Sequence, residues 1–187
     1  MRVLRLSMRL AALIMLFIFL ACASPSTKFT SLWEDKTYQG HPEKILVINA
    51  FPNPESRRLF EDEFVTALKE RGVNAVMSYT VMPDPIVSDK DNIADEEACW
   101  RCLQEVGADT VLINNPVGKS TGQFAGADYK YMTIITRTDV YDIKSNRLVL
   151  SVTAETRIEN KSYAAMIKTY VKDLVNKLLQ QGLLSKR

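Results

Sequence analysis

The sequence is poor in the residues that build metal and acid–base centres. It has one histidine, His41, and three cysteines, Cys22, Cys99 and Cys102, in 187 residues. A single His excludes a His-rich metal site or a mechanism needing two imidazoles. No second C-x-x-C accompanies Cys99-Trp100-Arg101-Cys102, so a four-thiolate zinc site lacks half its ligands, and no metal site is expected. Leu103 stands where covalent haem requires His. There is no G-x-S-x-G nucleophile elbow. Glycine is scarce, with seven residues against 47% apolar ones, which excludes collagen-like and disordered chains. No apolar run approaches the roughly 20 residues of a spanning helix. There is also no surplus of one charge. Residues 1–21 hold Arg2, Arg5 and Arg9 and no acid, and the remaining 166 carry 21 basic and 22 acidic groups, a net of −1. A nucleic-acid binder would be strongly basic, so nucleic acid is not an expected partner.

What is present begins with an export signal. Residues 1–9 form a positive segment, and residues 10–21 are an uncharged apolar run of twelve. That length suits a signal-peptide core and is too short to span a bilayer. Ala21 directly before Cys22 resembles the lipobox of bacterial lipoproteins, with Phe19 and Leu20 departing from the usual residues. The resemblance implies that residues 1–21 are removed, that Cys22 carries a diacylglycerol thioether, and that its new amino end is acylated. Two or three acyl chains anchor stably, since each buried CH₂ contributes about 0.8 kcal/mol. Ala23 rather than Asp after the Cys implies the outer membrane, facing the periplasm. The alternative is an ordinary secretory signal cut near Ala21 or Ala23.

Residues 23–31 (ASPSTKFTS) read as a flexible tether. The lipidated Cys and tether take 22–43, and 44–187 form one domain, starting at the earliest near Leu32. Residues 44–51 (KILVINAF) are a continuous apolar run, predicting a strand buried on both faces. Asn53-Pro54 starts a helix, and Arg71-Gly72 ends it. Its acids Glu61, Asp62 and Glu63, with Lys69 and Arg71, read as a solvated face. A second strand covers 73–82 and a second helix 94–107, from the spacing of Ala94, Ala98, Cys102 and Val106. A third strand covers 110–113, and Gly-rich residues 114–129 read as a loop. Residues 131–143 and 147–158, joined by a short turn, form an antiparallel hairpin. Tyr163, Ile167, Tyr170, Val171, Leu174 and Leu178 mark a last amphipathic helix. The fold class is α/β: a three-layer mixed sheet, β-α-β-α-β, then the hairpin and a C-terminal helix.

This order resembles the small α/β domain of envelope lipoproteins such as the penicillin-binding-protein activators. It is also similar to the amino-terminal domain of TolB and the curli secretion lipoprotein. The carrying residues are Glu105, Gly107, Asp109 and Leu112 in EVGADTVL, and Asp139, Asp142 and Ser145 in DVYDIKS, with Asn146 in place of Gly. Four segments resemble a set of uncharacterised bacterial lipoproteins. They are Trp33 to Asp35, Tyr38 to Gly40, Arg58 to Asp62 and Ser78 to Pro83. The resemblance implies a fold and supplies no catalytic residue.

Cys99 and Cys102 are the sharpest chemical feature. They read as small apolar residues on a buried helix face, or as a structural disulfide in an oxidising compartment. A thiol–disulfide enzyme is the further alternative, disfavoured by Asp95, Glu96 and Glu97, which work against a thiolate. Gly118-Lys119-Ser120-Thr121 lacks the earlier Gly of a phosphate loop, since Ile113 stands there. Gly118, Lys119, Ser120 and Gly122 are instead a candidate partner-contact loop. His41 reads as a surface residue. Tyr129, Tyr131, Tyr141 and Tyr163 read as core or half-buried strand residues. The expectation is a non-catalytic, lipid-anchored module without a cofactor, whose partners are the membrane, through Cys22, and an unidentified envelope protein. A small-molecule or glycan binder with a cleft at the strand carboxyl ends is the alternative.

Overall fold

The computed structural model describes residues 27–82, 103–123, 130–158 and 163–184. Six strands form one mixed sheet in the order β1-β6-β5-β4-β2-β3. They are β1 (Thr27–Glu34), β2 (Lys44–Asn49), β3 (Asn74–Met77), β4 (Thr110–Gln123), β5 (Lys130–Asp142) and β6 (Arg147–Ile158). Two helices, α1 (Pro54–Lys69) and α2 (Tyr163–Gln180), complete the named elements. β2 runs parallel to β3 and to β4, and the other neighbours are antiparallel.

α1 starts where Asn53 accepts a hydrogen bond from the Ser56 amide and Pro54 enters at the first turn. It ends before Gly72, whose φ of 75° suits a residue without a Cβ. Alternate residues of β2 divide the core. Ile45 and Val47 face Phe60, Phe64 and Leu68 of α1 and Tyr170, Leu174 and Leu178 of α2. Leu46 and Ile48 face the other way, against Val111, Met82 and Leu103. Leu103 belongs to a helical turn, residues 103–106, that closes at Gly107 (φ 63°). The sheet is therefore covered on both faces around β2, as a doubly buried apolar strand requires.

Three elements depart from expectation. Residues 27–34, assigned to the tether, form the edge strand β1, paired with β6 from Thr27↔Thr156 to Glu34↔Leu150. Its alternation is hidden by an irregular register between Phe29 and Ser31, and Leu32 and Trp33 stay exposed. The second strand is shorter than 73–82 and curls into a 3-10 turn at Ser78–Thr80. The candidate loop Gly118, Lys119, Ser120 and Gly122 is not a loop. These residues are part of β4, paired with β5 as Gly118↔Ile135, Lys119↔Ile134, Ser120↔Thr133 and Gly122↔Tyr131. Beyond Asn114 β4 has lost β2 as a neighbour and is an edge, where Pro and Gly are tolerated, and it bulges between Pro116 and Gly118. A Cβ at Gly122 would run into the Tyr131 ring, so a larger residue there would require that ring to move.

The hairpin turn is held by Asp142, which accepts from the Ser145 amide and hydroxyl at 2.7 Å each. Asn146 takes φ 50°, the left-handed conformation that Asn tolerates in place of Gly. Among the described residues no helix is long and apolar enough to cross a membrane.

Phe64 is fully buried between α2 and the sheet. Phe64→Ala is expected to destabilise the domain by about 3–5 kcal/mol through lost burial and a residual cavity, read as a lower urea midpoint at unchanged slope.

Candidate functional site

The chain leaves β2, passes through α1 to β3 on one side, and returns to β4 on the other. The carboxyl end of β2 beside β4 is therefore the point at which strand order reverses, the usual binding position in open α/β sheets. Asn49 and Asn114 pair in register there. The Asn114 side chain donates to Asn49 Oδ1 at 2.9 Å. Its own Oδ1 accepts from Thr138 Oγ1 at 2.9 Å and from the Tyr170 hydroxyl at 3.0 Å. Those two hydroxyls are also 2.9 Å apart, so two protons serve three oxygen contacts. All four side chains are buried, and burial pushes the Tyr170 phenol above its ordinary pKa.

A second network supports the first. Glu61 is fully buried, although its neighbourhood of acids reads as a solvated face. Its Oε1 accepts from the Asn49 amide (3.0 Å), Arg57 Nε (3.1 Å) and Ser78 Oγ (2.7 Å), and its Oε2 from the Tyr79 amide (3.1 Å). Arg57 also donates to Ser78 Oγ at 2.8 Å. One carboxylate thus fixes the end of β2, the first turns of α1 and the 3-10 turn. Beside it the Tyr79 hydroxyl donates to Asp62, and Arg58 sits 5.5 Å from the Tyr79 ring. The bond to Asp62, then burial, pushes the Tyr79 phenol up to about 12.

Between the networks and α2 lies a cavity of about 10 Å³, with Phe51, Ile134, Tyr163 and Met166 among its walls. That is room for one water-sized group. Thr136 borders it, 5% exposed, and its Oγ1 makes no hydrogen bond of good geometry. The hydroxyl faces Tyr170, which Thr138 and Asn114 already engage. The site offers amides and hydroxyls, and its buried charges are paired within it. It can hold a neutral hydrogen-bonding group, and it presents no activated nucleophile.

Cys22, Cys99 and Cys102 lie outside the described residues, as does Tyr129. Tyr131, Tyr141 and Tyr163 are half-buried. His41 lines a surface cleft with Asp35, Tyr38 and Gln181, where Tyr38 donates to Asp142 at 3.2 Å. Burial, then the Asp142 charge, pushes the Tyr38 phenol up to about 12. Gly118, Lys119, Ser120 and Gly122 sit together on β4 where, among the described residues, β5 is its one strand neighbour. Among the described residues no three His, Cys, Asp or Glu side chains gather as metal ligands. The buried polar set escaped the sequence reading. Its available signals were Asn49 inside an apolar strand, and Arg57 and Glu61 four apart on the same helix face as Phe60, Phe64 and Leu68.

No protein-family model matches the chain, and no curated protein matches it by sequence. Solved structures match its fold. The PelC dodecamer of Paraburkholderia phytofirmans is similar at TM-score 0.52 and 10% identity, over 82% of this chain and 97% of that one. Lipoprotein GNA1162 of Neisseria meningitidis is similar at TM-score 0.50 and 21% identity, over 74% and 99%. At these identities the likeness is one of fold.

Glu61→Gln removes the buried carboxylate that accepts from Arg57, Ser78 and the amides of Asn49 and Tyr79. A loss of about 3 kcal/mol in unfolding free energy is expected from chemical denaturation. Thr136→Val removes an unpaired buried hydroxyl at constant shape, and a gain of about 1 kcal/mol is expected from the same measurement.

Proposed function

We propose that the chain is a lipid-anchored bacterial envelope protein that works by protein–protein contact rather than catalysis. The observation that carries this reading is the signal-like run of residues 10–21 with Cys22 behind it, placed before a domain of this α/β fold. The anchor is the acylated Cys22, in the outer membrane and facing the periplasm. The fold likeness to a Neisseria lipoprotein supports the reading, as does the resemblance to penicillin-binding-protein activators. The polar groups buried at the strand ends are occupied in holding the fold, which suits a binding module.

The contact surface is two of the sheet's edges, β1 and β4 beyond Asn114, which lack an outer strand neighbour among the described residues. Gly118, Lys119, Ser120 and Gly122 lie on the second. Strand edges offer unpaired backbone donors and acceptors to a partner. The PelC structure of similar fold is a dodecamer by its description, so a second copy of this chain is the first partner to test, before other envelope proteins. A second reading, a small-molecule or glycan binder, draws on the Thr136 hydroxyl at the strand-order reversal, but the cavity beside it has room for one water-sized group and would have to open.

In-cell crosslinking of the tagged full-length protein, followed by affinity purification and mass spectrometry, tests the proposal. Reproducible crosslinks through β1 or β4, to another copy or to an envelope protein, are expected. Cys22→Ala should lose both the anchor and those crosslinks. A wild-type chain that is acylated but yields no crosslinked partner would overturn the contact reading.

A further inference from the structure

Three strand edges lack an outer neighbour among the described residues, and they are not equally protected. Natural sheets blunt such edges by shortness, proline, bulges or charge. β3 is four residues long and curls into the 3-10 turn. β4 beyond Asn114 carries Pro116, which has no N–H to donate, and a bulge directly after it. β1 is eight residues long, holds no proline or glycine, and keeps a regular register from Ser31 to Glu34. It also carries Leu32 and Trp33, 39% and 49% exposed, two of the four large apolar side chains exposed among the described residues. An apolar edge of this kind is a template for another strand.

The register shows which strand fits. The Asp35 amide donates to the Val149 carbonyl at 3.0 Å, and Trp33 pairs with Ser151 in the same frame. Trp33 and Asp35 therefore turn their peptide groups towards β6, and Leu32 and Glu34 turn theirs outward. An antiparallel second β1 centred on Leu32 answers these groups with its own, each Leu32 amide donating to the other's carbonyl. The two-fold axis is then perpendicular to the sheet, so every side chain keeps its face. Leu32 meets Leu32 of the second copy on the face of Val152 and the main core. On the opposite face Trp33 stands across from Ser31, in the close pair whose Cα atoms are about 4.5 Å apart. The small serine leaves room for the indole, and the two Trp33 rings are diagonal neighbours about 7–8 Å apart, within reach of each other. Glu34 falls opposite Thr30, so no like charges face each other. A shift by one residue would set opposite faces against each other, and a centre on Trp33 would set the Glu34 carboxylate against Leu32. We propose that β1 pairs with β1 of a second copy of this chain, antiparallel about Leu32, joining the two sheets into one. This rests on the contact reading above and narrows it to one edge, one occupant and one register.

A strand pair this short lies at the small end of specific interfaces, so the readout is one that traps weak pairs. The purified full-length protein in detergent micelles is oxidised mildly with copper phenanthroline. Lys28→Cys, Ser31→Cys, Leu32→Cys, Trp33→Cys and Val117→Cys are made one at a time, all at exposed positions. Circular dichroism checks that each variant is folded. Mass spectrometry maps each disulfide, which separates the new links from those of the native thiols. Leu32→Cys should form its 32–32 disulfide about tenfold faster than Lys28→Cys or Val117→Cys links to itself, because Cα atoms paired about 5.5 Å apart are within disulfide reach. Two copies of residue 28 would stand about 27 Å apart along the strands. A maximum at 31 or 33 overturns the register. A rate at 32 no greater than at 28 or 117 overturns the β1 pairing. If in-cell crosslinks to a different envelope protein accompany that result, the contact reading stands without this inference. If no crosslinked partner of any kind appears, both are overturned.

Discussion

The carboxylate of Glu61 is the constraint on which the rest of the site depends. A buried charge is tolerated only when its charge and lone pairs are answered. Here the answers come from three separate pieces of chain: Asn49 at the end of β2, Arg57 one turn earlier in α1, and Ser78 with Tyr79 after β3. The β2–α1–β3 crossover therefore closes on a polar centre as well as on its apolar core. The arrangement explains why β3 stops after four residues. Hydrogen bonds to Glu61 turn Ser78 and Tyr79 out of the strand.

That closure sets the position of Asn49, and Asn49 sets the second network. Asn114, Thr138 and Tyr170 join β4, β5 and α2 through one amide and two hydroxyls. The parallel half of the sheet and the antiparallel half are thus linked by side chains as well as by strand pairing. Thr136 sits at the margin of this linkage with its hydroxyl unspent. Binding positions in such sheets tend to form at this margin, where the fold supplies rigidity and leaves one polar group over.

Much of the fold was legible in the sequence because its signals are local. Residues 44–51 read as a doubly buried strand from apolarity alone, and β6 was bounded at Arg147 and Ile158 by a turn and by alternation. α1 announced itself through Asn53, Pro54 and Gly72. β1 was hidden because it is a half-exposed edge whose irregular register scrambles the period-two pattern. The second half of β4 was hidden because Pro116, Gly118 and Gly122 argue against a strand, an argument that fails at an edge. The buried polar set was hidden for a different reason. Burial of Glu61 depends on Ser78 and Tyr79 arriving from 17 and 18 residues away, and composition carries no trace of that meeting.

The bulge in β4 has a consequence for how the chain tolerates change in length. Ahead of it, Asn114 and Pro116 pair with Thr138 and Thr136, on the face that carries the main core. Behind it, Gly118, Ser120 and Gly122 pair with Ile135, Thr133 and Tyr131, on the opposite face. One unpaired residue, Val117, separates the two patterns. It absorbs a break in the alternation, because even-numbered residues lie on the main-core face up to Pro116 and odd-numbered ones from Lys119. Loss of Val117 would leave Gly118 onward on the same partners and faces, so this stretch can gain or lose one residue without moving the far half of the strand.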